Sequence, residues 1–354
     1  MKRRVFTLLM ASVMCVFLTA CGGEDAGSET SAEQNNGGNE ADAGGETADA
    51  DTKEQTDNGE DLSINVILKT TASEYWGYVL AGCEAYSKDH PNVKVDVQGA
   101  SSETAYDEQL NIIETNLASG QYDGFVIAPL QADMVVKQIT GTTYPIIAVD
   151  TAIDAPEILS FVGTGNENAA YEGGKTAVQM AKDAGWEELK AISISGVQGD
   201  STVTARLNGY QKGVEEAGGE YLVNEIQYAD AVADKAYASM EAIMQNHPDG
   251  VAMILCNNDD MAIAAARAAA GNEAYSKTIF VGFDGIQSAC NAILAGEETM
   301  SVAQNAYQMG YSAVEACVDA INGETVESFV DSGSSIVTID NAQEQLDTLK
   351  SYLE

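Results

Sequence analysis

Polar side chains recur in this sequence directly after short runs rich in β-branched residues. Lys69 follows the first such run and Asp150 the fourth, Arg206 lies beyond a later run, and Asp284 and Gln304 follow two further runs. Carboxylates, amides and a guanidinium together suit a polyhydroxylated ligand, because each hydroxyl both donates and accepts hydrogen bonds. The pattern predicts a binding site for such a ligand.

An aromatic pair, Tyr75 and Trp76, stands beside the first of these polar groups. An aromatic face of this kind packs against the axial hydrogens of a pyranose or furanose. The alternative is helix capping, since Asp and Asn often cap the helix that follows a strand. Capping explains part of the set but neither Arg206 nor Trp76. The predicted ligand-binding residues are Lys69, Ser73, Tyr75, Trp76, Asp150, Arg206, Asn258, Asp284 and Gln304.

The elements that must position these residues alternate between strands and helices. Predicted strands cover residues 64–68, 93–97, 124–128, 145–149, 161–163, 191–195, 221–226, 251–255, 278–281, 299–303 and 336–339. Predicted helices cover residues 73–89, 105–119, 166–184, 202–217, 232–246, 259–270, 286–295 and 305–321. This βα alternation predicts an α/β fold with two parallel sheets, each covered by helices. Ligands of such sheets bind outside the carboxyl ends of the strands.

The first residues read as an export signal. Lys2, Arg3 and Arg4 precede an apolar run over residues 5–18, and small residues lead to Cys21. This pattern is typical of a cleavable lipoprotein signal over residues 1–20, with Cys21 carrying the lipid. The alternative is a secreted protein in which Cys21 is incidental. We expect an extracytoplasmic protein anchored to the cell membrane.

Residues 21–61 have a composition unlike that of the rest of the chain. They are rich in Gly, Ala, Ser, Thr, Asp and Glu, contain no aromatic residue and have Lys53 as their only cation. Such a segment predicts a disordered acidic linker. The formal net charge of −38 for the whole chain argues against a nucleic-acid partner, which requires clustered Lys and Arg.

The scarce cysteines and histidines do not form a metal-binding pattern. No two cysteines are spaced as CxxC, and the apolar surroundings of Cys83, Cys256, Cys290 and Cys317 predict small buried hydrophobes rather than a disulfide framework or a metal site. His90 and His247 each precede a proline that ends a helix. We expect no metal and no cofactor.

Three motifs resemble those of enzymes, but each lacks a neighbouring feature that the corresponding enzyme site requires. Residues 174–176 resemble the end of a phosphate loop, but the glycine required upstream is Ala169. Tyr171 and Lys175 have the spacing of short-chain dehydrogenases without a glycine-rich dinucleotide fingerprint. Asp259 and its acidic neighbour point in different directions at a helix start and have no matched partner. We expect no enzymatic activity.

From Ile64 to about Ile339 the chain resembles the periplasmic sugar-binding proteins of the ribose- and D-allose-binding type. The resemblance covers nearly all of the globular region in the family's order. It rests on Leu68-Lys69-Thr70, Tyr75-Trp76, Ile127-Ala128-Pro129-Leu130, Arg206-Leu-Asn-Gly209-Tyr210, Cys256-Asn-Asn258-Asp259-Asp260-Met261-Ala262, Val281-Gly-Phe-Asp284-Gly285 and Val302-Ala-Gln304.

The resemblance implies a periplasmic binding protein of type I, in which two Rossmann-like lobes are joined by a three-strand hinge and close around one monosaccharide. The N-terminal lobe would comprise residues 62–164 plus 305–332, and the C-terminal lobe residues 165–304 plus 333–354. Lys69, Tyr75, Trp76 and Asp150 would face the sugar from the first lobe, Arg206, Asn258 and Asp284 from the second, and Gln304 from the hinge.

Three positions depart from the family pattern. Thr151 stands where the family often has Arg or Glu, and Ser73 where it often has Asn. The family has a second aromatic plate, a ring from the C-terminal lobe that stacks on the other face of the sugar, and Ala231 occupies its position here. Tyr228 is the nearest residue that could substitute for it.

The resemblance further implies a solute-binding lipoprotein that delivers a hexose or pentose to the membrane permease of an ABC importer. We expect a monomer. The alternative is a sensory receptor that presents a sugar or sugar-like signal to a membrane kinase or chemoreceptor. A transcriptional repressor of related fold is disfavoured by the export signal and by the lack of a helix-turn-helix pattern ahead of Ile64.

Overall fold

The computed structural model describes residues 61–353. The predicted signal peptide, the predicted lipidation site Cys21 and the acidic linker up to residue 60 lie outside the described residues. The β-branched runs form strands β1 (Leu62–Thr70), β2 (Val93–Ala100), β3 (Gly124–Ile127), β4 (Ile146–Val149), β5 (Ile158–Gly163), β6 (Lys190–Ser195), β7 (Glu220–Tyr221), β8 (Gln227–Tyr228), β9 (Met253–Cys256), β10 (Ile279–Asp284), β11 (Met300–Gln304), β12 (Phe329–Asp331) and β13 (Ser334–Val337).

Most amphipathic stretches between these strands form helices. Their apolar residues recur at helical spacing, so one face of each helix packs on a sheet. The helices are α1 (Glu74–Asp89), α2 (Tyr106–Ser119), α3 (Ala132–Ile139), α4 (Asn166–Asp183), α5 (Ser201–Glu216), α6 (Ala233–Asn246), α7 (Asp259–Ala269), α8 (Gln287–Ala295), α9 (Ala306–Ile321) and α10 (Ala342–Ser351).

The strands pair into two sheets. The first has the order β12-β5-β4-β3-β1-β2 and is parallel throughout. The second has the order β13-β11-β10-β9-β6-β7, with β8 also paired to β6, and only β13 runs antiparallel to its neighbour. Fully buried apolar strands such as β3, β4 and β9 are typical of sheets covered on both faces. The predicted α/β class with parallel sheets is confirmed.

The chain passes between the two sheets at three places. It leaves the first sheet after β5 and enters α4 near Gly165. It returns after β11, where Gln304 and Asn305 precede α9, a helix that packs on α1 and the first sheet. It crosses last between β12 and β13, at residues 332–333.

The structure corrects several predicted boundaries. The predicted strand over residues 221–226 is two short strands, β7 and β8, separated by a 3₁₀ turn at Val223–Glu225. Helices α3 and α10 and strand β12 were not predicted. Helix α3 has eight residues and β12 has three, which is little sequence for a periodic pattern, and most residues of α10 are not buried.

Helices α4 and α5 pack so closely that only glycine fits between them. A Cβ atom at Gly209 would overlap the carbonyl oxygen of Glu167, and one at Gly213 would overlap that of Tyr171. The close approach brings Arg206, one turn before Gly209 on α5, against the start of α4. The motif at residues 174–176 lies inside α4, as its interpretation as helix interior predicts.

The cysteines and histidines lie where the sequence predicts. Cys83, Cys256, Cys290 and Cys317 are buried and free, and burial raises the pKa of Cys83 and Cys317 to about 12. His90 and His247 occupy the C-caps of α1 and α6. Among residues 61–353, no group of three or more potential ligands could hold a metal ion. In the same part of the chain, no helix has both the length and the apolar character needed to cross a bilayer.

A buried carboxyl pair lies beneath the second sheet. A Cβ atom at Gly282 would overlap both Asp259 Oδ1 and Glu298 Oε1, so the two oxygens border the same point. Asp259 accepts hydrogen bonds from Ser301 Oγ at 2.6 Å and Ile286 N at 3.0 Å. Glu298 is 3% exposed, and neither of its oxygens has a well-formed hydrogen bond to a described residue.

This environment disfavours charge on both carboxyls. Burial, reinforced by Asp259, raises the pKa of Glu298 well above its usual value, and the nearby Gly282 N–H offsets only part of that rise. Burial likewise raises the pKa of Asp259 to about 7, despite its hydrogen bonds. The folded protein therefore holds protons that the unfolded chain releases above about pH 4.3, so this pair makes the protein less stable as the pH rises.

We predict that Glu298→Gln stabilises the fold at neutral pH, because the amide can donate to Asp259 Oδ1 and carries no charge to desolvate. The free energy of unfolding at pH 7.5, measured with urea, should rise by about 1 to 3 kcal/mol. The decline in stability between about pH 4.5 and 7 should become shallower than in the wild type.

Glu297→Gln serves as the matched control. Its carboxylate is exposed and paired with Arg267, so the change should alter the free energy of unfolding by less than about 1 kcal/mol. A Glu298→Gln protein less stable than wild type at every pH would contradict this account of the buried pair.

Candidate ligand-binding site

The carboxyl ends of strands from both sheets meet around one cavity of about 70 Å³. Because each βα loop projects from the same edge of its sheet, residues far apart in sequence face each other there. Eight of the nine predicted ligand-binding residues line this cavity: Lys69, Tyr75, Trp76, Asp150, Arg206, Asn258, Asp284 and Gln304. The structure brings this set together.

Ser73 is the predicted residue that lies apart. It occupies the N-cap position of α1, makes no side-chain cap hydrogen bond and does not line the cavity. Asn258 plays two parts, because its Oδ1 caps α7 by accepting from Met261 N at 2.9 Å while the residue also lines the cavity. The capping interpretation therefore holds for Asn258 without excluding a role in binding.

Larger cavities lie elsewhere, including one of about 400 Å³ beside Phe161 and Phe329. One of about 320 Å³ lies behind the crossings and has Asp284 as its only charged lining residue. Another of about 760 Å³ lies at the amino ends of β10 and β11, near Thr278 and Thr299. The 320 Å³ cavity and the one beside Phe161 have no cation in their lining. The 760 Å³ cavity has cations, carboxylates and aromatic rings, but it lies at the amino ends of its strands, whereas ligands of parallel sheets bind at the carboxyl ends. The small cavity is therefore the candidate site.

Lys69 bridges carboxylates that come from the two sheets. Its Nζ lies 3.1 Å from Asp200 Oδ2 and 3.8 Å from Asp150 Oδ2. Burial alone would lower the pKa of Lys69, but these carboxylates outweigh it and raise the pKa. For Asp200, burial acts to raise the pKa, whereas Lys69 and the hydrogen bonds from Thr202 and Val203 lower it to about 2. Both groups are therefore charged at neutral pH.

Arg206 is held rigidly by its neighbours. Its Nε donates to Asn166 Oδ1 at 2.7 Å and its Nη1 donates to Asn257 O at 2.6 Å. The guanidinium lies 3.7 Å from the centroid of the Phe283 ring, a cation–π arrangement. Asp284 Oδ1 is 3.9 Å from Nη1. The remaining donors of Arg206 are thus fixed in direction at the cavity wall.

Asp150 is held in an uncommon backbone conformation. Its φ of 62° lies in the left-handed region, which a non-glycine residue adopts at some cost in free energy. Tyr75 Oη donates to Asp150 Oδ1 at 2.9 Å and Thr151 Oγ1 donates to Oδ2 at 2.7 Å. Thr151, which departs from the family pattern, therefore orients the carboxylate that precedes it.

Asp284 and Gln304 form a second fixed pair. Gln304 Nε2 donates to Asp284 Oδ1 at 2.7 Å. Burial raises the pKa of Asp284 well above its usual value, although Arg206 opposes the rise.

The cavity wall presents a buried donor and a buried acceptor without a protein partner. Asn257 Nδ2 and Gln304 Oε1 make no hydrogen bond to any described residue, and both residues line the cavity. A buried polar group without a partner costs about 1 to 3 kcal/mol. A ligand that both accepts and donates hydrogen bonds would remove that cost.

The aromatic wall is one-sided. The rings of Tyr75 and Trp76 meet edge to face, with centroids 5.1 Å apart, and Trp76 Nε1 donates to Glu103 Oε1 at 2.9 Å. Ala231 lines the cavity without supplying a ring, and the lining does not include Tyr228, which is 40% exposed. Tyr228 therefore does not replace the second aromatic plate.

Four polar lining residues were not among the predicted site residues: Glu103, Asp200, Thr202 and Asn257. Glu103 follows β2, Asp200 and Thr202 follow β6, and Asn257 follows β9, so the strand-end rule that identified the others applies to all four. Glu103 was missed because the sequence does not reveal its contact with Trp76.

Comparison with known proteins places the chain in a family. The family model described as a periplasmic binding protein domain matches residues 64–325. The chain belongs to the periplasmic binding protein family. The D-allose-binding periplasmic protein of Escherichia coli (strain K12) is 30% identical to this periplasmic binding protein over 265 residues, or 72% of this chain and 83% of the relative. The resemblance inferred from the sequence motifs is confirmed.

Two further comparisons agree with this membership. The ribose import binding protein of Escherichia coli (strain K12) is 32% identical over 209 residues, or 57% of this chain and 67% of the relative. The crystal structure of a carbohydrate transporter solute binding protein from Agrobacterium radiobacter, in complex with D-arabinose, superposes with a TM-score of 0.74 at 28% identity. That match covers 82% of this chain and 98% of the other.

We predict that Asp200→Asn destabilises this periplasmic binding protein, because the amide keeps the cap of α5 but loses the buried pair with Lys69. The free energy of unfolding at pH 7 should fall by about 1 to 3 kcal/mol. The pKa of Asp200 is depressed in the folded state, so its charge stabilises the fold above about pH 4 and ceases to do so as the pH falls toward 2. The difference in free energy of unfolding between wild type and Asp200→Asn should therefore shrink as the pH falls from about 4 toward 2.

Asp230→Asn is the control, since Asp230 forms an exposed pair with Lys235. Its effect should stay below about 1 kcal/mol. Equal losses for Asp200→Asn at pH 7 and pH 2.5 would show that the charge of Asp200 is not what stabilises the fold.

Proposed function

We propose that this protein is the extracytoplasmic solute-binding component of an ABC importer and binds a neutral hexose or pentose in the cavity between the two sheets. The observation that carries the proposal is that two residues lining the cavity have buried polar atoms without a protein partner, the donor Asn257 Nδ2 and the acceptor Gln304 Oε1. Sugar hydroxyls both donate and accept and so can supply a partner of either kind.

The charges around the cavity support an uncharged ligand. Four carboxylates line it, from Glu103, Asp150, Asp200 and Asp284, against the two cations Lys69 and Arg206. Even with Asp284 protonated, carboxylates outnumber cations. An anionic ligand would meet this surplus of negative charge in a site of low dielectric, where like charges repel strongly.

The aromatic wall and the relatives support a sugar among neutral ligands. Trp76 is 2% exposed and lies at the cavity with its ring nitrogen already bonded to Glu103, which leaves its apolar surface for packing. The relatives are named for D-allose and ribose, and the solved structure contains D-arabinose. A single aromatic wall, with Ala231 in the lining where the family pattern expects a second ring, leaves room for a substituted sugar.

Binding would proceed by hinge closure. In this proposal residues 62–164 and 305–332 form one lobe and residues 165–304 and 333–354 the other, with the three crossings as the hinge. Lys69, Tyr75 and Asp150 belong to the first lobe and Arg206 and Asp284 to the second, so a ligand that touches both lobes favours the closed state.

We further propose that the mature protein begins at Cys21, which carries the lipid anchor, and that the acidic linker lets the binding lobes reach the permease. The protein would act as a monomer and not as an enzyme. The basic, apolar and small residues that precede Cys21 support the anchor.

The first test is a thermal-shift screen of the purified protein against aldoses, ketoses, polyols, nucleosides and uronic acids. A ligand at about one hundred times its Kd adds about 2.7 kcal/mol, which shifts the Tm by several degrees. We expect one neutral monosaccharide to respond, and its uronic acid to bind roughly tenfold or more weakly because of the carboxylate surplus.

A response to a nucleoside with none to any sugar would keep the fold and reject the sugar assignment. Tighter binding of a uronic acid than of its parent sugar would reject the charge argument. Delivery to an importer is tested separately, because deletion should abolish uptake of the sugar, a loss that a purely sensory role would not cause.

We predict that Arg206→Ala weakens binding of the sugar found in the screen by roughly 10- to 150-fold in calorimetry, a loss of about 1.5 to 3 kcal/mol from removing charge-assisted donors. Arg267→Ala is the matched control, since Arg267 is exposed and pairs with Glu297 away from the cavity. A folded Arg206→Ala protein with unchanged affinity would show that Arg206 does not contact the ligand.

A further inference from the structure

The amino end of α8, in the second sheet's half of the protein, is capped by a residue from the first sheet's half. Glu74, the first residue of α1, accepts hydrogen bonds at Oε1 from Gln287 N at 2.6 Å and Ser288 N at 3.3 Å. Its Oε2 accepts from Ser288 Oγ. The N-cap residue of α8 itself, Ile286, supplies no side-chain cap.

A carboxylate suits this position for two reasons. The first N–H groups of a helix have no partner within the helix, and the helix dipole favours negative charge at its amino end. Tyr78, one turn along α1 and 1% exposed, donates its hydroxyl to Glu74 Oε1 at 3.0 Å. The carboxylate is therefore held in place from its own side before it meets α8.

Glu74 does not line the candidate site, but it joins two segments that build it. The start of α1 carries Tyr75 and Trp76, and the end of β10, just before α8, carries Asp284; all three line the cavity while Glu74 does not. Another polar contact between the two halves, from Lys69 to Asp200, uses residues that line the cavity. Because Glu74 does not line the cavity, a bound ligand leaves its contact with α8 intact.

We infer that Glu74 is a latch that stabilises the closed state and so sets how long the ligand stays bound, without touching it. The inference rests on the proposed hinge closure. Opening would separate α1 from α8 and return three donors, Gln287 N, Ser288 N and Ser288 Oγ, to solvent. Because the contact favours the closed state with or without ligand and takes no part in the first encounter, its loss should accelerate ligand release and leave the encounter rate unchanged.

The test compares Glu74→Ala and Glu74→Gln with Glu84→Ala, an exposed position on the same helix. Stopped-flow kinetics with the sugar from the screen should show koff at least tenfold faster for Glu74→Ala, with kon within twofold of wild type. The koff of Glu74→Gln should lie between those of wild type and Glu74→Ala, since an amide oxygen still accepts from the two N–H groups. Glu84→Ala should match wild type.

Hydrogen exchange of the ligand-free protein gives a second readout that needs no sugar. The amides of Gln287 and Ser288 should exchange faster in Glu74→Ala than in Glu84→Ala. If wild type binds no sugar, the proposed function fails while this comparison still decides whether the cap forms. A lower Tm with koff unchanged, or unchanged exchange at both amides, would overturn the latch.

Discussion

The buried guanidinium of Arg206 holds together the strand ends on which the site is built. It donates hydrogen bonds to the side-chain oxygen of Asn166 at the start of α4 and to the backbone oxygen of Asn257 after β9. It also lies over the ring of Phe283 in β10. A buried cation is tolerated only when its donors are used and its charge is balanced. Asp284 Oδ1 lies 3.9 Å from Nη1, where Arg206 opposes the rise that burial causes in the pKa of Asp284, and Gln304 fixes Asp284 in turn. Helix α5 can present Arg206 here because Gly209 and Gly213 let it lie against α4.

A second constraint is the excess of carboxylates in a chain with few cations. Several are used to satisfy helix amino ends. Asp200 caps its own helix α5, Asp259 accepts from the backbone N–H of Ile286, and Glu74 accepts from the next two N–H groups of α8. The amino end of α8 thus meets carboxylates from both halves of the molecule. Glu298 caps no helix in the described part of the chain, and its burial next to Asp259 lowers the stability of the fold at neutral pH.

Sequence patterns predicted what depends on local periodicity and on the geometry common to parallel sheets. The alternation of strands and helices, and the convergence of Asp150, Arg206 and Asp284, follow from those two rules. The local patterns did not report that a 3₁₀ turn interrupts the predicted strand over residues 221–226, leaving the short strands β7 and β8 on either side of it, nor did they report α3. Ser73 and Tyr228 were expected near the ligand because of sequence position, yet a helix start and an exposed strand edge direct them elsewhere. The reach of Glu74 to α8 spans more than two hundred residues of sequence, so only the folded chain reveals it.

Recognition and closure are assigned to different side chains in this molecule. The groups that face the cavity are fixed by one another: Asp150 by Tyr75 and Thr151, Arg206 by Asn166 and Asn257, and Asp284 by Gln304. A site whose donors and acceptors are already oriented loses little entropy when a ligand binds, so its geometry sets specificity. Glu74 lies outside that network and acts on the relative position of the two halves of the protein. A substitution there can alter residence time while the choice of ligand stays with the cavity wall, which allows the two properties to change independently.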